Sequence, residues 1–170
     1  MTKKIYYDIS FFTYDIILER SDSMNKNLEL ELKSIIDTNK DKRICVVGTT
    51  CTGKSTLIKN MGIGADMDKL LFPLLTKEES DYVCSDPWTE EIGEFMDNLV
   101  RTKLNITPDT PLFGTVILDA DLIVYLHIND ELLKERTDLR GADFKNAKNM
   151  QSKIENELKT IDKEIITLEV

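Results

Sequence analysis

The run Gly48-Thr49-Thr50-Cys51-Thr52-Gly53-Lys54-Ser55 satisfies the spacing G-x-x-x-x-G-K-[ST]. The chemistry this pattern can do is capture of a polyphosphate. The glycines let the chain wrap so that successive backbone N–H groups converge on phosphate oxygens. A helix starting where the wrap ends adds the partial positive charge of its N-terminus. Lys54 would reach the β- and γ-phosphates, Ser55 would offer its hydroxyl to Mg²⁺, and Thr56 follows within reach of the same ligand. Gly48 through Thr56 are therefore expected to bind ATP or GTP together with Mg²⁺. Cys51 could gate the loop by oxidation. Such loops accept many small residues at this position, so Cys51 is taken as an ordinary loop residue.

Phosphoryl transfer further needs cations around the developing equatorial charge, a carboxylate near the accepting hydroxyl, and a second group on the metal. Arg136 and Arg140 are spaced i, i+4, so one helical face can aim both into a site; ion pairing with Glu131, Glu135 or Asp138 would occupy them equally well. Asp66 and Asp68 could orient an acceptor hydroxyl, although one of them could simply cap the next helix. Asp86, which closes Tyr82–Ser85, and Asp119, which closes Val116–Leu118, compete for holding Mg²⁺ through water. Asp86 is favoured, because Asp119 leaves no room for a crossover before the next strand. His127 alternates within a strand without a sequence-adjacent carboxylate or cysteine and is expected to be a core or rim residue. Trp88 and Phe72 are expected to pack rather than to stack on a substrate.

A GTPase would carry an Asn-Lys-x-Asp segment on a later strand, but here Asn39-Lys40-Asp41 precedes the glycine loop and has the wrong spacing. Asp138-Leu139-Arg140-Gly141 satisfies D-x-x-G but lies well beyond the nearest strand. The chain also lacks a transporter-type L-S-G-G-Q segment and the length for a ring-ATPase lid. From residue 43 onward it resembles the P-loop kinases of small molecules, the group of shikimate, gluconate, nucleoside and nucleotide kinases. The resemblance rests on the glycine loop, on Asp66-Met67-Asp68, on DADLIVYLHINDELLKER, and on Arg136-Thr-Asp-Leu-Arg140-Gly-Ala-Asp-Phe144, which looks like a lid with phosphate-clamping arginines. It implies a three-layer α/β P-loop fold with a mainly parallel five-stranded sheet. It also implies transfer of the γ-phosphate of Mg·ATP to a small metabolite, with Lys54, Asp66, Asp68, Arg136 and Arg140 catalytic and Ser55 and Asp86 serving the metal. The alternative is a nucleotide-binding regulator that docks a partner through residues 1–42.

These side chains need elements to position them. Ile44–Val47 is a continuous apolar run of the kind expected for a strand buried on both faces, and STLIKNM after the loop reads as a helix. Asp66 follows Lys54 by only 12 positions, which limits that helix to about two turns. DKLLFPLL is apolar but broken by Pro73, and Tyr82–Cys84 reads as another short buried strand. Asp86 or Thr89 then caps, with Pro87 at a first helical position, a helix bearing Ile92, Phe95, Met96, Leu99, Val100 and Leu104. Leu122–Ile128 is the most strand-like run. Residues 115–118 precede it too closely for a parallel neighbour, so they either finish a short helix begun near Pro111 or join an irregular element. Phe144, Ala147, Gln151, Ile154, Leu158 and Ile161 mark a long amphipathic helix, and IITLEV a closing strand. Strands alternating with helices indicate an α/β layer fold.

Before this core, IYYDISFFTYDIILER fits both helical and alternating templates. Leu28, Leu32, Ile35 and Ile36 share one helical face, and TNKDK ends the segment with turn formers. We read residues 1–42 as an extension packing on or capping a kinase-like domain over 43–170. The chain of 170 residues has 31 acidic and 22 basic side chains, a formal charge of −9, and no basic stripe, which argues against a nucleic-acid partner. No apolar run is long enough to span a membrane. Three cysteines without a C-x-x-C pair suit free thiols in a reducing compartment, so the cytoplasm is expected. The expected partner is a small-molecule acceptor, with a homodimer left open.

Overall fold

The computed structural model describes residues 26–85 and 89–170. The ambiguous aromatic stretch at the start of the chain, and Asp86, Pro87 and Trp88, lie outside the described residues. The order of elements is a helix over residues 26–38 (α1), β1 (Ile44–Val47), α2 (Lys54–Met61), β2 (Ala65–Asp66), α3 (Met67–Leu71), a 3₁₀ turn (Phe72–Leu74), α4 (Lys77–Val83), α5 (Glu90–Lys103), β3 (Leu112–Gly114), β4 (Leu122–His127), α6 (Asp130–Arg140), α7 (Phe144–Leu158) and β5 (Glu164–Glu169).

All strand pairings are parallel and the order is β2-β3-β1-β4-β5, which makes a three-layer α/β fold with β1 at the centre. Alternation along the strands divides the core. Ile44, Val46, Leu122, Val124 and Leu126 meet α1, α2 and α6 on the first face. Cys45, Val47, Ile123 and Tyr125 meet α3, α4, α5 and Ile154 of α7 on the second. The crossover from β1 to β2 runs over the first face through α2, and those from β2 to β3 and from β3 to β4, which move the other way, run over the second; the crossover from β4 to β5 begins on the first face with α6 and reaches the second through α7. For the first three crossovers, reversing direction and face together keeps a single hand.

α1 belongs to this core. Its face of Leu28, Leu32 and Ile36 is buried against the first side of the sheet, and each such side chain contributes roughly 1.5–3 kcal/mol of transfer free energy. Within the stretch read as an extension over residues 1–42, the described helix α1 is thus part of the core.

The short elements differ from their sequence reading. Tyr82 and Val83 are the end of helix α4, not a strand: Thr76 and Glu79 form a capping box that starts the helix and fixes its register. The strand next to β1 is Leu112–Gly114, three residues between Pro111 and Thr115. Residues 115–121 are an irregular connection, not the end of a helix. They pass beneath β1 to β4, filling the second face with Val116, Ile117, Leu118 and Ala120. Such a step usually takes a helix. Here Gly114 is level with Val47 and Leu122 with Ile44, so the diagonal is only about 14 Å, and seven extended residues reach about 23 Å. α7 ends at Leu158, so Ile161 packs from the following turn.

Candidate functional site

The chain leaves β1 at Val47 and wraps through residues 48–53 into α2. Gly48 donates its N–H to Gly114 O at 3.2 Å, and a Cβ on it would stand 3.0 Å from Leu126 O. The loop turns through left-handed backbone at Gly53 and, unusually for a side-chain-bearing residue, at Cys51, with φ of 92° and 64°. Two threonines hold the wrap from inside. Thr49 Oγ1 donates to Ala147 O of α7 at 2.6 Å, and Thr52 Oγ1 to Thr49 O at 2.9 Å. Of the residues expected to bind a cofactor, Thr49 thus spends its side chain on α7 and Thr52 on the loop, while Thr50, Cys51, Thr52, Gly53, Lys54, Ser55 and Thr56 line a cleft.

The start of α2 is chemically open. Side chains cap α3, α4, α5, α6 and α7 through Asp66, Thr76, Thr89, Asn129 and Asp143. α2 has Gly53 at that position, no side-chain cap, and no acidic residue in its first turn. Its end therefore presents uncapped N–H groups and positive potential to the cleft.

Three cations converge there. Lys54 Nζ donates to Gly48 O and Thr49 O, both at 2.7 Å, and to Thr52 Oγ1 at 3.1 Å. Withdrawal from water pulls its pKa down to about 8, opposed by the carboxylates of Asp68 and Asp66. Arg136 Nη1 donates to Cys51 O at 3.3 Å and Thr52 O at 3.2 Å. Arg140 Nη1 lies 3.9 Å from Cys51 Sγ. The ion pairing that could have occupied the arginines goes elsewhere, since Lys134 takes Asp138 at 3.0 Å. Among the described residues, no carboxylate lies within ion-pair distance of Lys54, Arg136 or Arg140.

The carboxylates sit across the cleft. Asp66 caps α3 by accepting from Asp68 N at 3.1 Å, and its other oxygen accepts from Ser55 Oγ at 3.2 Å. The Asp68 carboxyl is held above its usual range by desolvation and then by Asp66, with Lys54 acting against both. Phe113, Gly114 and Thr115 contribute a further wall. The approach of Met67 to Gly114 is so close that a Cβ there would overlap its sulfur. The cleft holds about 690 Å³, a volume suited to a ligand of nucleotide size.

Three candidates, Asp119, His127 and Phe72, fall elsewhere. Asp119 lies at the opposite end of the sheet, bound to Arg43 Nη1 at 3.1 Å, and so cannot serve a metal near Ser55. Its rival, Asp86, lies outside the described residues. His127 is a rim residue at the end of β4. Its Nδ1 is 2.7 Å from Glu169 of β5 and its Nε2 3.9 Å from Glu155 of α7, partners that no local spacing announces. Phe72 stands in the 3₁₀ turn, partly exposed and away from the cleft lining.

Sequence reasoning missed Leu28 and Glu29 of α1 and Leu139 of α6, which also line the cleft. Leu28 shows only as part of an apolar helical face, and Leu139 only through its i+3 spacing from Arg136.

No protein family and no curated protein matches the chain. A solved structure of an uncharacterized protein from Eubacterium ventriosum is similar over 74% of this chain and 88% of its own, at 14% identity and a TM-score of 0.33. No helix is long and apolar enough to cross a membrane among the described residues.

Proposed function

We propose that the protein is a P-loop phosphotransferase that binds a Mg²⁺-complexed nucleoside triphosphate on residues 48–56 and passes its γ-phosphate to a small hydroxyl-bearing metabolite. The observation that carries this reading is the uncapped start of α2 facing a cleft whose three cations have no carboxylate partner. Lys54 and Arg136 are half-buried, and half-buried cations without a counter-charge are costly, a cost that a polyanion would offset. Lys54 and Arg136 hold loop carbonyls at present and could turn to phosphate oxygens by exchanging one set of acceptors for another.

The fit to a divalent cation rests on Ser55 and Asp66. Their oxygens stand 3.2 Å apart, a hydroxyl and a carboxylate side by side, which is a donor set suited to Mg²⁺. This moves Asp66 from the acceptor to the metal side and leaves Asp68 facing the acceptor. Asp68, with its raised pKa, would accept or share the proton of the attacking hydroxyl. Bound there, Mg²⁺ would supply neutralisation of phosphate charge. Arg136 and Arg140 would stabilise the transferring group, and Lys54 would orient the terminal phosphates.

The reading as a regulator loses part of its support, because α1 spends Leu28, Leu32 and Ile36 on the protein's own core. For the same reason truncation to residues 43–170 would strip the sheet and cannot separate the two readings. The test is consumption of ATP and GTP by the full chain across a panel of sugars, shikimate, nucleosides and monophosphates, with Lys54→Ala as control. We expect one acceptor class to raise turnover well above the variant. Nucleotide binding without any acceptor-dependent turnover would overturn the transferase reading.

A further inference from the structure

The cleft is larger than a triphosphate requires, and its lining differs on the two sides of β1. β2 and β3 lie to one side and bring Asp66, Asp68, Phe113 and Thr115. β4 lies to the other and leads into α6 with Arg136, Leu139 and Arg140. The lining is completed by Leu28 and Glu29 of α1. Leu139 is 79% exposed, an apolar side chain standing over the cleft rather than in the core. Glu29 is held toward α2 by a hydrogen bond from Asn60.

A carboxylate is a poor neighbour for a polyphosphate unless a metal lies between them, and Glu29 is tied to Asn60 rather than to the metal-compatible pair of Ser55 and Asp66. The wall containing Glu29 therefore suits the uncharged end of a ligand. Leu139, with the edge of the largely buried Leu28, supplies an apolar surface for a flat ring, and a carboxylate acceptor suits vicinal hydroxyls. We propose that Leu28, Glu29 and Leu139 form the seat of the nucleoside, with the ring against the leucines and the ribose hydroxyls on Glu29. The N-terminal helix α1 is then a built-in part of the nucleotide site. This rests on the triphosphate reading above and adds the side from which the nucleoside is held.

The test compares, on the full chain by calorimetry, Mg²⁺ complexes of ATP, of 2′,3′-dideoxy-ATP and of inorganic tripolyphosphate. Leu139→Ser is expected to weaken ATP roughly fivefold, as loss of a partly covered leucine should, and to leave tripolyphosphate unchanged. Glu29→Gln is expected to weaken ATP by a similar factor and to abolish the preference for ATP over its dideoxy analogue. Leu30→Ser, on the exposed side of α1, serves as a folding control and should alter neither ligand. Variants that leave ATP affinity intact, or that weaken ATP and tripolyphosphate equally, would overturn the nucleoside seat alone. Equal binding of ATP and the dideoxy analogue by the unaltered chain would remove Glu29 from the proposal and so overturn it as stated. Failure of the unaltered chain to bind tripolyphosphate or ATP at all would overturn the triphosphate reading, and this inference with it.

Discussion

At the amino ends of the strands Arg43 donates to Asp121 at 2.8 and 3.1 Å and to Asp119 at 3.1 Å. At the carboxyl ends Lys54 and Arg136 donate to backbone carbonyls of the 48–55 loop. Both ends collect cations and carboxylates from segments far apart in sequence, and both immobilise the cations by hydrogen bonds. The difference is in net charge. The Arg43 group is closed, since its carboxylates neutralise it and the Asp121 pKa falls to about 2. The loop carbonyls satisfy the geometry of Lys54 and Arg136 without cancelling their charge. In a chain with a net charge of −9, cations without an ion-pair partner among abundant acidic side chains are the feature on which the proposed anion site rests.

The strongest way to separate the two ends is to remove one cation from each. Lys54→Ala should weaken Mg·ATP about 100-fold, the loss expected for roughly two charge-assisted hydrogen bonds. Arg136→Ala should cost about tenfold, as a single clamp at the mouth. Arg43→Ala should leave affinity within about twofold while lowering the melting temperature. Calorimetric titration and thermal melts of the three variants decide the matter. An Arg43→Ala loss as large as that of Lys54→Ala would erase the distinction.

Titration offers a finer contrast. The Lys54 pKa is depressed to about 8, so between there and the unfolded value of about 10.4 the unfolded chain binds more protons than the folded one. Stability therefore gains from this group as pH rises through that window. Affinity for an anion moves the other way, because the folded protein loses the charge that attracts it. Mg·ATP affinity should fall as pH rises above 8, by at most about tenfold per pH unit. The same titration with Lys54→Ala should lack this component. An unchanged wild-type affinity from pH 7 to 9.5 would mean that Lys54 does not meet the phosphate.

What the residues disclosed in advance follows the range of the forces involved. β1, α2, α5 and α7 are set by local periodicity and caps, and Gly48–Ser55 by a contiguous spacing, so each could be read directly. β2 and β3 have two and three residues, too few for any period, and exist because β3 pairs with β1 and β2 in turn with β3. Tyr82–Cys84 looked strand-like because an apolar triplet has no period, whereas the deciding cap lies at Thr76. Asp119 followed an apolar run, as a metal-side carboxylate should. Which end of the sheet it occupies depends on residues 115–121 running back beneath β1, a feature of topology alone. Leu28, Glu29 and Leu139 reach the cleft only once α1 and α6 dock, so no local signal could have nominated them.

The closed end makes a quieter prediction that concerns stability alone. Because Arg43 depresses the Asp121 pKa to about 2, this contact stabilises the fold fully above the unfolded carboxylate value of about 3.9. The contribution is lost as pH falls from there through 2, where the folded protein at last takes up the proton. Asp121→Asn keeps much of the shape and removes the charge, so it should melt below the wild type at pH 7. The gap should be small, since the group is open to solvent, and should shrink under added salt. It should close between about pH 4 and pH 2. Asp66→Asn at the other end should show the reverse profile of effects, with little change in melting temperature and a clear loss of Mg²⁺-dependent nucleotide binding. If Asp121→Asn instead weakened nucleotide binding while Asp66→Asn only shifted the melt, the assignment of the two ends would have to be exchanged.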